Sequence, residues 1–397
     1  MQDKYLSFLL KSCLKLESTD TLFISYDSFV NSAFKKDIEC LLQKMNVKNV
    51  YFFDRNSALK RKMLQEKEKD EIEKFYTPLF QKWNEFSLKK AKFLMTVSEI
   101  PGFMTDVKEE KLAFYQELFQ KNTTLFREKE VRMEIDWCIC ALPNPYWAKD
   151  IFGETPDALE KLKDAIYKMC LIDKESPVKA WEDYLISLKK RTEKLNQLKI
   201  KTLHYENALG TDLYLTLPSS YLFKSAADEK ILVNMPSYEV YTSPFFKGTN
   251  GIVYASKPLV YNGVMIEDFS LTFQDGKVIA YEAKKGKDVL KSILETDEQS
   301  SYLGEVALVP YDSPISNTHL VFKTTLFDEN ASCHLALGAG FPDCIDSTEK
   351  TDEALLEKGI NVSKTHVDFM IGTADLKITA QTEEGEKLIF KDGNFVL

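Results

Sequence analysis

Four short apolar runs set the frame for the fold: TLFISY (21–26), NVYFFD (49–54), KFLMTV (92–97) and WCICAL (137–142), each rich in β-branched or aromatic residues and spaced by long amphipathic stretches. Strand, helix, strand with spacers of this length is the pattern of a parallel sheet covered by helices. The spacers are not themselves remarkable in chemistry. Stretches 56–90 and 177–199 carry Lys, Glu and Leu at helical spacing, which reads as a solvated helical face.

Near residue 200 the pattern changes. The stretches 203–218, 250–286 and 369–397 alternate apolar and polar residues between Asn-Gly, Asp-Gly and Glu-Gly turn signals. Two helices are expected among them, one over 286–303 and one starting near 327 and running through 338. A chain of 397 residues exceeds what one hydrophobic core normally serves. The expectation is an α/β N-terminal domain with a parallel sheet over residues 1–195, followed by a β-rich α+β catalytic domain over 196–397.

Charge and cysteine usage narrow the function classes. The formal net charge is −9, with a sequence pI near 5.3, so the average surface offers nothing to a phosphate backbone, and no nucleic acid partner is expected. The seven cysteines lack a disulfide-framework spacing and read as reduced thiols; the C-x-C pair Cys138/Cys140, set in an apolar run, suits buried thiols better than a zinc knuckle. The start, MQDKYLSFLLKSCLKLEST, breaks its apolar patch with lysine too early for a signal peptide, and no run of about 18 apolar residues occurs. A soluble, cytoplasmic protein with no membrane partner is expected.

The familiar motifs are absent: no phosphate-binding G-x-x-x-x-G-K-[ST], no G-x-S-x-G, no H-E-x-x-H. What remains is a scatter of acids and imidazoles in the second half. His366 and Asp368 in THVDFM are two apart, so on a strand they project from one face, as a cation site or as a surface His–Asp pair. His334 in ASCHLALG sits on the expected helix, where a lone histidine reads as a satisfied core residue. Glu305 heads the apolar stretch GEVALVP and has to meet water or a cation. Glu239 in PSYEVYTSP reads alone as exposed, and His319 as structural or exposed. None of these signals decides by itself.

In order, MPSYEVYTSP, GTNGIVYAS, GVMIEDFSLTFQDGKV, TDEQSSYLGEVALVPYDSPIS, TLFDENASCHLALG and THVDFMIG resemble the successive signature blocks of the thermophilic-aminopeptidase family of metallopeptidases. The resemblance is dense from about residue 200 onward and weaker before it. It implies a cytoplasmic, homodimeric metallo-aminopeptidase with a peptide substrate and two divalent metal ions (zinc, cobalt or magnesium), a water bridging the two cations being the nucleophile. The implied metal ligands are Glu239, Glu305, His334, His366 and Asp368. Glu305 and Glu329 are then the catalytic carboxylates, with Glu329 of FDENA as general base because it is not committed to metal; the alternative is that Asp328 and Glu329 simply favour a helix N-terminus.

One departure stands out. The family has a tyrosine seven residues after the histidine of TLFDENASCHLALG, about two turns further on an expected helix, and this chain has Phe341 there. Phenylalanine keeps the ring and loses a hydroxyl that would contact a metal or donate to a developing oxyanion. The alternative function is therefore a catalytically weak or inactive relative that binds metal or peptide.

Overall fold

A computed structural model of the chain describes residues 1–261 and 264–397. The Asn-Gly turn signal at 262–263 lies outside the described residues. Packing divides the chain into two compact units, Met1–Trp181 with Lys230–Pro236, and Glu182–Glu229 with Ser237–Leu397. The division falls inside the helix Pro177–Gln197 rather than after residue 195, and a seven-residue return segment belongs to the first unit.

The first unit is built on the expected runs. β1 (Thr21–Tyr26), β2 (Asn49–Asp54), β3 (Lys92–Val97) and β4 (Trp137–Ala141) are parallel, and the return segment adds β5 (Asn234–Met235), giving the order β2-β1-β3-β4-β5. Register aligns Ile24 with Phe52 and Leu94, and Leu94 with Cys138. The strands are apolar on both sides because both faces are covered. On one face, Phe23 packs 4.7 Å from Trp83 and 5.0 Å from Phe93, ring centroid to centroid. Trp83 belongs to the helix Lys69–Leu88, whose buried positions Ile72, Tyr76, Phe80 and Trp83 recur at the spacing of one helix face. Cys138 and Cys140 are buried, unpaired thiols in β4.

In the second unit the turn signals act as expected. Asp275-Gly276 and Asp392-Gly393 both take positive φ (48° and 83°, 50° and 69°) and close tight hairpins between Gln274 and Lys277 and between Lys391 and Asn394. They belong to an antiparallel sheet that also contains Thr202–Glu206, Asp212–Thr216, Thr249–Tyr254 and Lys377–Thr382. A second, smaller sheet runs through β6 (Val240–Thr242), β7 (Leu303–Leu308), β8 (His334–Gly338) and β9 (His366–Met370), in the order β9-β8-β7-β6 with Lys224–Ser225 at the edge. Among the described residues no helix is long and apolar enough to cross a membrane.

Two expected helices are corrected. The first is shorter, Lys287–Leu294. The second is replaced: Thr325–Asp328 makes one helical turn, Glu329–Ala331 a 3-10 turn, and HLALG is strand β8. Leu and Ala favour helix, yet a five-residue apolar run carries no periodicity that separates helix from buried strand, and pairing on both edges decides for strand.

Gly304 makes room in this sheet. The β7–β8 register shifts between Leu303 and Glu305, and a Cβ at Gly304 would lie 2.1 Å from the Ala339 carbonyl oxygen. Backbone cannot yield there as a side chain would. Gly304→Ala is expected to lower stability by about 1–3 kcal/mol, read as a lower urea midpoint at unchanged m-value; an unshifted midpoint would contradict the tight packing of this bulge.

Candidate metal centre

The register of the small sheet explains how distant residues meet. Tyr241 of β6 and His334 of β8 both lie opposite Ala307 of β7, Glu305 and Asp368 both lie opposite Ala336, and His366 lies opposite Gly338. Residues opposite each other project from the same face, as do residues two apart. Glu239, two before Tyr241, therefore joins Glu305, His334, His366 and Asp368 on one face. Ala307, Ala336 and Gly338 between them are too small to fill the space above the sheet.

The donor atoms converge. Glu239, Glu305 and His334 form one group, and Glu305, His366 and Asp368 another, with the ligand atoms of each group within 4.8 Å of one another. Glu305 is common to both. His334 Nε2 is 3.2 Å from Glu239 Oε2, and His366 Nε2 is 3.1 Å from Glu305 Oε2 and 3.2 Å from Asp368 Oδ1. Each imidazole turns its other nitrogen to the backbone: His334 Nδ1 to Ser332 O at 3.2 Å, His366 Nδ1 to Ala339 O at 2.7 Å. An Nδ1–H held by a carbonyl leaves Nε2 as the nitrogen available to a cation.

Burial and charge shift these groups strongly. Burial opposes the charged imidazoles, but Glu239 chiefly raises His334 to about 10, and Asp368 with Glu305 lifts His366 well above its ordinary value. Burial also raises Glu305, to about 7, against the pull of His366. Asp368 is the opposite case: burial pushes it up, and the His366 imidazolium outweighs this and holds it down at about 2. Asp368 Oδ1 is buried 3.2 Å from His366 Nε2, whose hydrogen bond goes to Glu305 Oε2, and it has no well-formed hydrogen bond of its own. An acceptor left over in this way, among two imidazoles and three carboxylates, fits a divalent cation.

Glu329 lies on the 3-10 turn just before β8, buried, and its Oε1 accepts from Asn330 Nδ2 at 3.2 Å. Burial, then the charges of Asp368 and Glu239, push its carboxyl well above the usual range. Asp328 and Glu329 also stand in the first turns of these short helical segments, though neither side chain caps one, and Asp328 accepts from the Phe322 amide. Asn330 went unnoticed in the sequence, yet its Oδ1 accepts from the Tyr238 amide at 2.7 Å and so ties Glu329 to the segment carrying Glu239. Its only sequence signal is adjacency to Glu329.

Phe341 also borders the site, by a different route from the expected one. It follows β8 in extended backbone, so helical turns do not place it; its ring centroid lies 5.1 Å from that of His366 and 5.2 Å from that of Tyr241. His319 is exposed at the end of a 3-10 turn. His204 pairs with Asp212 at 2.7 Å and stacks on Tyr214.

Two acid–imidazole groups sharing one carboxylate could hold metal ions, the donor chemistry found in metal-dependent enzymes. The model of the thermophilic metalloprotease (M29) family matches residues 1–395. The chain is 38% identical over 314 residues to aminopeptidase AmpS of Bacillus subtilis, covering 77% of this chain and 76% of that one. It is 33% identical to aminopeptidase 2 of Geobacillus stearothermophilus over 99% of this chain and 97% of the other. Wild-type AmpT of Thermus thermophilus superposes on the whole chain and on 98% of its own, with a TM-score of 0.87 at 27% identity. The chain belongs to the thermophilic metalloprotease family and is a peptide-bond hydrolase.

Protons and cations compete for this donor set. In the metal-free protein at pH 7, His334 and His366 are protonated and Glu305 is close to its midpoint. The His334 pairing stabilises the metal-free fold fully below the ordinary histidine pKa and is lost as pH rises through about 10, whereas that of Asp368 holds above the ordinary carboxylate range and is lost as pH falls through about 2. Zinc titrated into metal-free protein at pH 7 is expected to expel about two protons and to bind more tightly as pH rises from 6 to 9. Calorimetry in two buffers of different ionisation enthalpy reads the proton count directly; heats independent of the buffer would contradict these histidines as ligands.

Proposed function

We infer that the chain is an aminopeptidase that removes the N-terminal residue of peptides with the help of two divalent cations, zinc, cobalt or magnesium. Glu239, Glu305 and His334 would hold one and Glu305, His366 and Asp368 the other. The observation that carries this reading is the sharing of Glu305 between two donor groups on one sheet face. The relatives named as aminopeptidases support the substrate class. Unpaired cysteines support a cytoplasmic setting; the homodimer rests on the family resemblance alone.

When bound, the cation pair supplies Lewis acidity to the peptide carbonyl and acidifies the attacking water. The chain's own groups do the rest. Glu329 stands outside both donor groups, with a carboxyl raised by burial and by Asp368, so it is the acid–base group for taking the water's proton and passing it to the leaving amine. Asn330 holds that carboxylate against the Tyr238 segment. Phe341 covers His366 and keeps water from one flank of the donor set.

The second reading, a weak or inactive relative, is favoured by one observation: the ring beside His366 carries no hydroxyl. Release of p-nitroaniline from aminoacyl-p-nitroanilides, measured alongside metal content, separates the two. Glu329→Gln is expected to lower kcat by roughly 10²–10⁴-fold with metal content kept, while Glu305→Gln loses metal and activity together. Phe341→Tyr is expected to raise kcat at constant metal content, since the restored interaction acts mainly in the transition state. Wild-type protein that holds metal yet turns over none of a full panel of aminoacyl substrates would favour the second reading.

A further inference from the structure

In the first unit, the carboxyl ends of β1, β2 and β3 enclose a cleft of about 250 Å³ that the peptidase reading does not use. β1 lies between β2 and β3, so right-handed crossovers carry the chain off to opposite faces on its two sides and leave a crevice beyond the strand ends. Ligands of open parallel sheets bind at such crevices.

The lining is charged and already constrained. Arg55, just past β2, is anchored by Nη2, which donates to Thr96 O at 2.6 Å and Thr96 Oγ1 at 3.2 Å, while its buried Nε has no partner. Lys60, one turn into the helix Ser57–Glu66, makes no hydrogen bond or ion pair with any described residue and sits 4.2 Å from the Tyr115 ring centroid. Both cations line the cleft, and Lys60 does so without a hydrogen-bonded partner. Asp27 offsets part of their charge, but its oxygens are taken up by other donors: they accept from the amides of Phe29 at 3.0 Å and Ser57 at 3.2 and 3.3 Å, and from Ser57 Oγ. It lies at the N-terminus of the helix Ser57–Glu66, which Asn56 caps, and the dipole there offsets part of its charge. Asp27 and Glu99 stand against the two cations and the helix N-terminus, which leaves room for at most about one negative charge and disfavours a polyphosphate. Burial depresses both cations, Lys60 to about 8 with Arg55 adding to the effect, and an anion would relieve both.

The opposite wall is apolar. Ile100, Phe103 and Met104 line it, and Phe103 is held in place by Phe29, stacked at 5.1 Å, and by the Arg61 guanidinium at 5.0 Å.

We propose that this cleft binds a small organic monocarboxylate, its carboxylate on Arg55 and Lys60 and its apolar body against Phe103 and Met104. Calorimetry on the full-length, metal-loaded protein with phenylacetate tests it. One phenylacetate per chain is expected. Affinity should fall at least tenfold in Lys60→Gln and in Arg55→Gln, and phenylacetamide and inorganic phosphate should bind at least tenfold more weakly than phenylacetate. Glu305→Gln should leave the affinity unchanged, which separates this cleft from carboxylate capture at the metal centre. If Arg55→Gln fails to fold, Lys60→Gln, at a half-exposed position and checked by circular dichroism, decides alone. Absence of saturable binding, equal binding of the amide or of phosphate, affinity lost in Glu305→Gln, or undiminished affinity in folded Lys60→Gln would each overturn the proposal.

Discussion

Gathering Glu239, Glu305 and Glu329, all buried, and the half-buried Asp368 around only two imidazoles at one sheet face is the constraint from which the rest of the second unit follows. Charges taken out of water cost several kcal/mol each unless they are matched. Four carboxylates with neutral imidazoles carry four negative charges, the amount two divalent cations neutralise. In the metal-free chain protons take that place: both imidazoles hold one tightly, and Glu305 and Glu329 are pushed toward their acid forms. Burial first, then the neighbouring acids, push the two carboxyls up, and the carboxylates beside them raise the imidazoles. Asp368 alone stays low, because the His366 imidazolium lies beside it.

Such a cluster needs a scaffold that cannot relax away from it. Strands paired on both edges supply one, and β7 and β8 are buried along their whole length. The residues between the donors are small, and where backbone meets backbone they are glycine: Gly338 takes a φ of +99° with a Cβ position 2.1 Å from the Thr365 carbonyl oxygen. The two carbonyls that orient the imidazoles, Ser332 O and Ala339 O, flank β8, just outside its ends. The same strand carries one candidate ligand and places the carbonyls that orient both imidazoles.

Much of this was legible in the sequence where a local rule governs it. The four apolar runs of the first unit are its four long parallel strands, Asp-Gly pairs closed the hairpins at 275–276 and 392–393, and the two-residue spacing of His366 and Asp368 put both on one face. What failed depends on pairing that no local pattern encodes. HLALG reads as helix until β7 and β9 lie on either side of it, and the short β5 joins the first unit's sheet after an excursion through the second. That excursion is also why a single cut near residue 195 does not describe the two units. The candidate donors are implied only by ordered blocks of resemblance, since Glu239 or His334 alone is an ordinary buried or exposed residue to any local rule.

Phe341 separates two contributions that a tyrosine would combine. Its ring lies against His366 and Tyr241, and an apolar ring there lowers the local polarity around the His366, Glu305 and Asp368 pairs, which strengthens each of them. That contribution needs only the ring, so substitution by phenylalanine preserves the electrostatic environment of the donors. The hydroxyl is a separate function, useful only where charge develops during reaction. On the same face of the sheet Tyr241 presents a phenol two residues from Glu239, and burial with nearby acids keeps it protonated and able to donate. With phenylalanine at 341 the ring packing around the candidate donors is kept, and the chemistry of the transition state is where any effect of the absent hydroxyl would be concentrated.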